Sequence, residues 1–371
     1  MRFLSAAVCT TVAAALLASC SSNGSSPSSS AMPGGAGSAA KIIQAGHHGL
    51  QLAAGGTANM KFQKFTGKRA PASATKGIYV SEFYATSNNI FGYPKNNSSN
   101  GPSICNESTA EGTNGIATDK SGNLIVPTAN STFNAGTITV FQGPGMCGAQ
   151  VGSTITDNST GAEPTDVASN DAINGTIVVG HSNGQVSTCT LASETCTELS
   201  TPPTLGTFIQ VAMDKNGNCY ADTLSSSATG TLIVYSGTPS APCTGAGAVA
   251  SGFTNYYYGG LDVDNRGNLV TISETTSAFG AGYVMVYSGC STLTCSAVGG
   301  PFATQGQSIF GHLGRQNERF VTTDYSDLMV EVYAYTPGGT GLTYMYSFNN
   351  GLSCATDACE GAAYSPSSKG N

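Results

Sequence analysis

GIATDKSGNLIV at 115–126, VAMDKNGNCYAD at 211–222 and GLDVDNRGNLVT at 260–271 are three spellings of one phrase. Each sets out a short apolar strand, an Asp, a polar Gly-Asn turn and a second strand. A third strand follows about ten residues later as TITVF, TLIVYSG or YVMVYSG. A unit this short cannot bury its own apolar face, so it has to stack against neighbours like itself. The phrase therefore specifies a repeat architecture.

Weaker copies fill the gaps. Residues 164–191 and 310–335 lose the Gly-Asn spelling but keep the order of strand, turn, strand, loop, strand. The second strands of the five units begin near Leu124, Ile177, Cys219, Leu269 and Phe320, close to fifty residues apart. A sixth unit is split. Residues 77–94 hold a second and third strand with no first strand before them, and 361–371 hold a first strand and its turn with nothing after. Read across the termini, SSKGN runs into GIYVSEF as DKSGN runs into LIVPTAN. A C-terminal strand paired with N-terminal ones closes a ring, and radial repetition of about four strands per unit is the β-propeller answer to exposed sheet edges. The sequence thus predicts an all-β fold, a six-bladed β-propeller closed by the C-terminal strand. The rivals are an open β-solenoid, whose coils are usually shorter than fifty residues, and a sandwich. Helix is not expected after residue 60, because the apolar runs are four to six residues long, rich in Val, Ile, Thr and Tyr, and bounded by Gly, Asn, Ser and Pro.

The phrase at 116–126, 211–221 and 261–271 resembles that of NHL-repeat and gluconolactonase-like six-bladed propellers, a resemblance covering residues 77–371. Such propellers include lactonases, lyases, binding modules and scaffolds, so the resemblance implies a fold and leaves the activity open.

The first residues read as an export signal. Arg2 precedes an apolar stretch from Phe3 to Leu17, too short to span a membrane, and Leu17-Ala18-Ser19-Cys20 follows. This ending resembles the bacterial lipobox, which implies a signal peptide at 1–19 and lipidation of Cys20. The expected location is the bacterial cell envelope, periplasm or cell surface, with the membrane as a partner through the lipid. Ser21 is not the Asp that would suggest inner-membrane retention, which favours the outer membrane in a Gram-negative cell. Residues 20–40 are a Ser/Gly/Ala-rich tether that cannot bury enough apolar surface to fold, with a reach of about 25 Å. Residues 41–76 form a basic linker with six Lys or Arg and no acid, whereas the propeller from 77 holds seven basic and twenty-one acidic residues, a net −14. The strip either lies along an acidic surface or anionic lipid, or is a solvated linker with one apolar patch. Overall acidity argues against nucleic acid.

Of twelve cysteines, Cys9 falls in the signal and Cys20 at the anchor, leaving an even ten for an oxidising compartment. Cys189 with Cys196, Cys290 with Cys295 and Cys354 with Cys359 are close pairs. For Cys105, Cys147, Cys219 and Cys243 the partners stay open, 105–147 and 219–243 being the nearest choices. No CxxC spacing supports thiolate metal binding.

Function in a propeller is expected at one mouth of the central channel, in the loops after the second strands. Those positions carry Glu82, Thr128, His181, Asp222, Glu274 and Asp324, with Tyr84, Asn130 and Tyr325 beside them. The candidate ligand or metal set is Glu82, Asn130, His181, Asp222, Glu274 and Asp324. Converging carboxylates and an Asn suit Ca²⁺ or another divalent ion, although nothing in the sequence demands a cofactor. In gluconolactonase-like relatives a metal held by Glu, Asn and Asp polarises a lactone carbonyl, so the resemblance permits a metal-dependent hydrolase. The competing reading is that these acids cap turns, as do Asp119, Asp214 and Asp264 before each Gly-Asn. His181 and His312 could meet only if both faced the channel. Tyr256-Tyr257-Tyr258 is a platform for sugar or peptide or simply packing. The reading favoured is a non-catalytic module for a protein, peptide or glycan ligand. The metal-assisted lactonase is its alternative.

Overall fold

The computed structural model describes residues 76–366, apart from 84–88, 109–112, 114, 131, 133, 144–147, 201–206, 225–229, 256–259, 274–281, 307, 315–317, 325–328 and 353–357. The described chain is six four-stranded antiparallel sheets, with one 3-10 turn at Cys290–Thr292 as the helical content among the described residues. Blade 1 contains β1 (Gly77–Phe83), β2 (Asn89–Pro94) and β3 (Cys105–Ser108). Blade 2 is β4 (Ala117–Thr118), β5 (Leu124–Ala129), β6 (Gly136–Phe141) and β7 (Ile155–Asp157). Blade 3 is β8 (Pro164–Ala168), β9 (Thr176–His181), β10 (Val186–Thr190) and β11 (Thr195–Glu198). Blade 4 follows with β12 (Thr207–Met213), β13 (Cys219–Leu224), β14 (Gly230–Tyr235) and β15 (Ala248–Val249). Blade 5 is β16 (Leu261–Val263), β17 (Leu269–Ser273), β18 (Tyr283–Ser288) and β19 (Ser296–Ala303). Blade 6 is β20 (Ser308–Leu313), β21 (Arg319–Asp324), β22 (Met329–Thr336) and β23 (Gly341–Phe348). The last strand, β24 (Ala358–Ser365), pairs antiparallel with β1 and becomes the first strand of blade 1, with Tyr364 opposite Ile78 and Ala363 opposite Tyr79. The split repeat read from the termini is therefore one blade.

The first strands β24, β4, β8, β12, β16 and β20 contact one another in that order, and β20 returns to β24. That sequence of neighbours is the ring. Each blade-to-blade interface has its own apolar cluster. Ile125, Ile138 and Val140 of blade 2 meet Val167, Ile177 and Val179 of blade 3, and Val80, Tyr93 and Tyr364 of blade 1 meet Val321, Val330 and Val332 of blade 6. Burying each such aliphatic side chain is worth about 1.5–3 kcal/mol, so the six interfaces carry the fold.

The phrase builds the turns that seat these strands. Asp119 Oδ1 accepts the backbone N–H groups of Ser121 at 2.8 Å and Asn123 at 2.9 Å, and its Oδ2 accepts Asn123 Nδ2 at 2.6 Å. Asp214 does the same with Asn216 and Asn218, and Asp264 with Arg266 and Asn268. The Gly in each turn has positive φ, 89° at Gly122, 85° at Gly217 and 82° at Gly267, a conformation in which a Cβ would crowd the following carbonyl. The second carboxylate oxygen also reaches beyond the turn. Asp119 Oδ2 accepts Ala172 N of blade 3 at 2.9 Å, and Asp264 Oδ2 accepts Tyr335 Oη at 3.1 Å and Gly338 N at 3.2 Å, both from blade 6. One side chain thus fixes a turn and fastens the next blade.

Three disulfides are closed within single blades: Cys189–Cys196, Cys219–Cys243 and Cys290–Cys295. Cys105 is disulfide-bonded as well. Cys147 and Cys354 lie outside the described residues, and with them the pairings 105–147 and 354–359. Cys20 and the signal, tether and all of the linker but Lys76 lie outside them too. No helix among the described residues is long and apolar enough to cross a membrane.

Candidate functional site

Because each second strand runs away from its Gly-Asn turn, the residues at its far end belong to the opposite face of the ring. Glu82, His181, Asp222 and Asp324 all sit there, and they are 0 %, 0 %, 5 % and 0 % exposed. Glu274, Tyr84, Tyr325 and the Tyr256–Tyr258 run lie outside the described residues. Asn130 is half-buried and caps its own loop, donating to Asn134 Oδ1 at 2.8 Å and accepting the backbone N–H groups of Thr132 and Asn134 at 3.2 Å.

Asp222 and His181 each sit in a polar nest of their own. Asp222, on β13, accepts Asn255 Nδ2, whose other close oxygen is Thr271 Oγ1 at 3.2 Å, so the carboxylate joins blade 4 to blade 5. Burial pushes its pKa up to about 7, offset in part by that Asn255 bond. Asp324 lies against Gly306, where a Cβ would stand 2.0 Å from its Oδ2. Its neighbour Glu331 accepts Ser308 Oγ at 3.3 Å and the Tyr333 hydroxyl, and burial first, then the Asp324 charge, raises Glu331 to about 7 against those bonds. Glu82 occupies the bulge where β1 slips against β24.

His181 is held by Asp157 and Ser187. Its Nε2 lies 3.0 Å from Ser187 Oγ and 3.2 Å from Asp157 Oδ2, while Ser187 Oγ donates to Asp157 at 2.7 Å. The residue types are those of a hydrolytic triad, but the arrangement is not. In a triad the carboxylate holds Nδ1 and leaves Nε2 to the serine. Here both partners crowd Nε2, Nδ1 lies 3.2 Å from the Ala162 carbonyl, and all three side chains are buried. The nest ties β7 to β9 and β10. Burial would raise the Asp157 pKa, but the hydrogen bonds and charge of His181, with Ser187 and Ser159, hold it down to about 2.

The ring axis holds a cluster that the mouth positions did not predict. Asp166 on β8 accepts Val211 N of β12 at 3.0 Å, and Asp262 on β16 accepts Leu313 N of β20 at 2.7 Å. First strands have an unpaired edge facing the channel, and these carboxylates satisfy N–H groups on it. His312 stands with its Nδ1 3.7 Å from Asp262 Oδ2 and bonds to the backbone of Ile116 in blade 2. His181 and His312 therefore serve different partners. Phe310, at φ 40° in the bulge between Ile309 and Gly311, brings its ring to within 2.8 Å of where a Gly115 Cβ would be, and Asp166 Oδ1 to within 2.5 Å of the same point. All of these side chains are at most 5 % exposed, so they are packed inside the ring. Burial opposes charge on His312, but the Asp262 hydrogen bond and charge, with Asp166, raise its pKa overall. Burial raises Asp166 to about 7 against the His312 charge. A charged residue inside an otherwise apolar first strand, as in PTDVA and GLDVD, is the sequence signal that could have found this cluster.

Among the described residues, the only group of three or more His, Cys, Asp and Glu side chains with ligand atoms within 4.8 Å of one another is Asp157, Cys189 and Cys196, and those two cysteines are bonded to each other.

No protein-family model matches the chain, and no curated protein matches it by sequence. Among solved structures, the chain is similar to one in the crystal structure of a nidogen/laminin complex, at 12 % identity and a TM-score of 0.54, over 79 % of this chain and 99 % of that one. Proteins from Lactobacillus plantarum and Desulfotomaculum acetoxidans, the latter described as functionally unknown, match at 14 % and 13 % identity with TM-scores of 0.48. They cover 74 % and 77 % of this chain, and the matches span 82 % and 83 % of theirs. The protein is a six-bladed β-propeller. That fold fits a binding or scaffold module.

Proposed function

We propose that this propeller is a lipid-anchored, extracytoplasmic protein that binds a protein, peptide or glycan ligand without catalysis. The observation that supports a non-catalytic role is burial: Glu82, His181, Asp222 and Asp324 lie beneath the surface. A general acid, base or metal ligand has to touch its substrate, and side chains at 0–5 % exposure do not meet one in this conformation. The disulfides suit an oxidising compartment. The anchor reading rests on the lipobox-like Leu17-Ala18-Ser19-Cys20 and the Ser/Gly/Ala tract behind it.

Two measurements test the reading. Cys20→Ala should move the protein from the membrane fraction to the soluble fraction and abolish labelling by a fatty-acid probe; retention in the membrane would remove the anchor. Fluorescence anisotropy of labelled envelope glycans and peptides against the full chain, run beside a lactone-hydrolysis assay, should give saturable binding without turnover. Turnover that EDTA abolishes would instead establish the metal-dependent hydrolase.

A further inference from the structure

The phrase has an Asp at the turn of blades 2, 4 and 5. In blade 6 the equivalent residue is Gly314, whose N–H donates to the Arg319 carbonyl as Asp264 N–H donates to Asn268. In blade 1 it is Pro366, one past Ser365, which pairs with Gly77. Both turn acids are thus missing from adjacent blades. A small cleft, open to solvent, lies at that junction and is lined by Gly314 and Pro366 themselves together with Lys76, Lys95, Arg319 and Tyr364. Glu318 is the one acid on its wall.

Three basic residues line it, beside a domain that holds seven basic and twenty-one acidic residues from position 77. Among the described residues neither Lys95 nor Arg319 has an ion-pair partner. The second observation is independent of charge. The Tyr364 side chain is 3 % exposed, and its hydroxyl has no hydrogen-bond partner among the described residues. A buried hydroxyl left unpaired costs about 1–3 kcal/mol, so it marks a place where a partner belongs. Burial raises its pKa and the Arg319 charge draws it back, which leaves the hydroxyl a protonated donor within reach of the guanidinium field. Gly314 packs against the Tyr364 ring, where a Cβ would stand 3.3 Å from Cγ, so an Asp here would crowd the ring as well as cancel the charge.

We propose that this cleft between blades 6 and 1 is an anion site that takes a carboxylate or phosphate group, held by Lys95 and Arg319 with the Tyr364 hydroxyl donating to it. A planar guanidinium fork suits either oxyanion. The site lies on the Gly-Asn-turn face, away from the second-strand ends, and does not depend on what those ends bind.

Calorimetric titration of the full chain with inorganic phosphate and, separately, with acetate, at constant ionic strength set with sodium chloride, tests it. Saturable one-to-one binding of at least one anion is expected; the tighter of the two assigns the group, and equal affinities assign a site that reads charge alone. The double variant Lys95→Ala/Arg319→Ala should weaken binding at least tenfold. Tyr364→Phe, which keeps the ring and its packing, should weaken it about fivefold, the loss of one hydrogen bond. No saturable binding of either anion, or undiminished affinity in the double variant, overturns the proposal. Should the double variant fail to fold, Lys95→Gln serves in its place, with unchanged affinity counting against the site.

Discussion

The turns of blades 2, 4 and 5 and the turns of blades 6 and 1 occupy equivalent places in one ring, yet only the first group carries a carboxylate. Asp119 and Asp264 each organise a turn and hold the neighbouring blade. Gly314 and Pro366 do neither, and the junction they form is a basic cleft beside an unpaired Tyr364 hydroxyl. A repeat residue is thus informative twice. Where it recurs it reports on construction, and where it is dropped it marks a surface freed for something else.

The sharpest way to break this contrast is to remove the acid where it works hardest. Asp264→Ala strands two backbone N–H groups in the turn, Asn268 Nδ2, the Tyr335 hydroxyl and Gly338 N. Urea unfolding should show a loss of about 4 kcal/mol, the class of effect seen when a buried charged hydrogen-bond network is cut. A loss below about 1 kcal/mol would mean that the turn holds without its acid. Next in size is the disulfide of a phrase-bearing blade. Opening Cys219–Cys243, whose members are 24 residues apart, with Cys219→Ser/Cys243→Ser should cost about 3.5 kcal/mol. Opening Cys290–Cys295, at separation 5, should cost about 2 kcal/mol, and the same unfolding curves read both.

The phrase acids are saturated with donors, whereas Asp166, Asp222 and Glu331 each keep one buried carboxylate oxygen without a hydrogen-bond partner among the described residues, and Glu163, just before β8, is buried too. Burial raises three of these to about 7 and Glu163 to about 8. An acid whose folded pKa is raised binds its proton more tightly folded than unfolded, so stability falls as the pH climbs from about 4 toward 8. His312, also raised, adds stability below its unfolded pKa and loses it at alkaline pH, the same direction. Asp157, held down to about 2, acts oppositely: its contribution is present above pH about 4 and vanishes toward pH 2. Thermal stability should therefore peak near pH about 4 and fall steadily from there to pH 8. Asp166→Asn should flatten the alkaline limb; a profile rising to pH 8 would contradict this account.

Smaller effects refine the turn itself. Gly267 has open space where a Cβ would go, so Gly267→Ala isolates the strain of positive φ, about 1–2 kcal/mol by urea midpoint. Gly314→Asp restores the repeat's spelling in blade 6 without its setting. Its stability change should stay within about 1 kcal/mol, while phosphate or acetate affinity falls about tenfold.

The ring was legible because its cause is local and repeated. Asp-x-x-Gly-Asn between apolar strands names a turn, and SSKGN facing GIYVSEF names a closure that pairing of β24 with β1 bears out. The role of Asp119, Asp214 and Asp264 was legible for the same reason. The axial cluster was not, because Asp166, Asp262 and His312 come from three blades and only the closed ring brings them together. Nor could the pattern place Asp157 beside His181, since Asp157 belongs to the outer strand of one blade and His181 to the next blade. The cleft escaped notice because it depends on what two turns lack, and a search for motifs counts what is present.

The buried groups on the first strands bear on how the two faces relate. A ring with a bore is a conduit, and whatever docks at one rim is felt at the other. Here Phe310, Asp166, Asp262 and His312 are buried instead, and their contacts fasten the first strands of different blades to one another. Chemistry on the Gly-Asn-turn side can then drift through mutation without disturbing the loops opposite. Paired changes at Tyr364 and Asn130 should add within about 0.5 kcal/mol, as independent sites do.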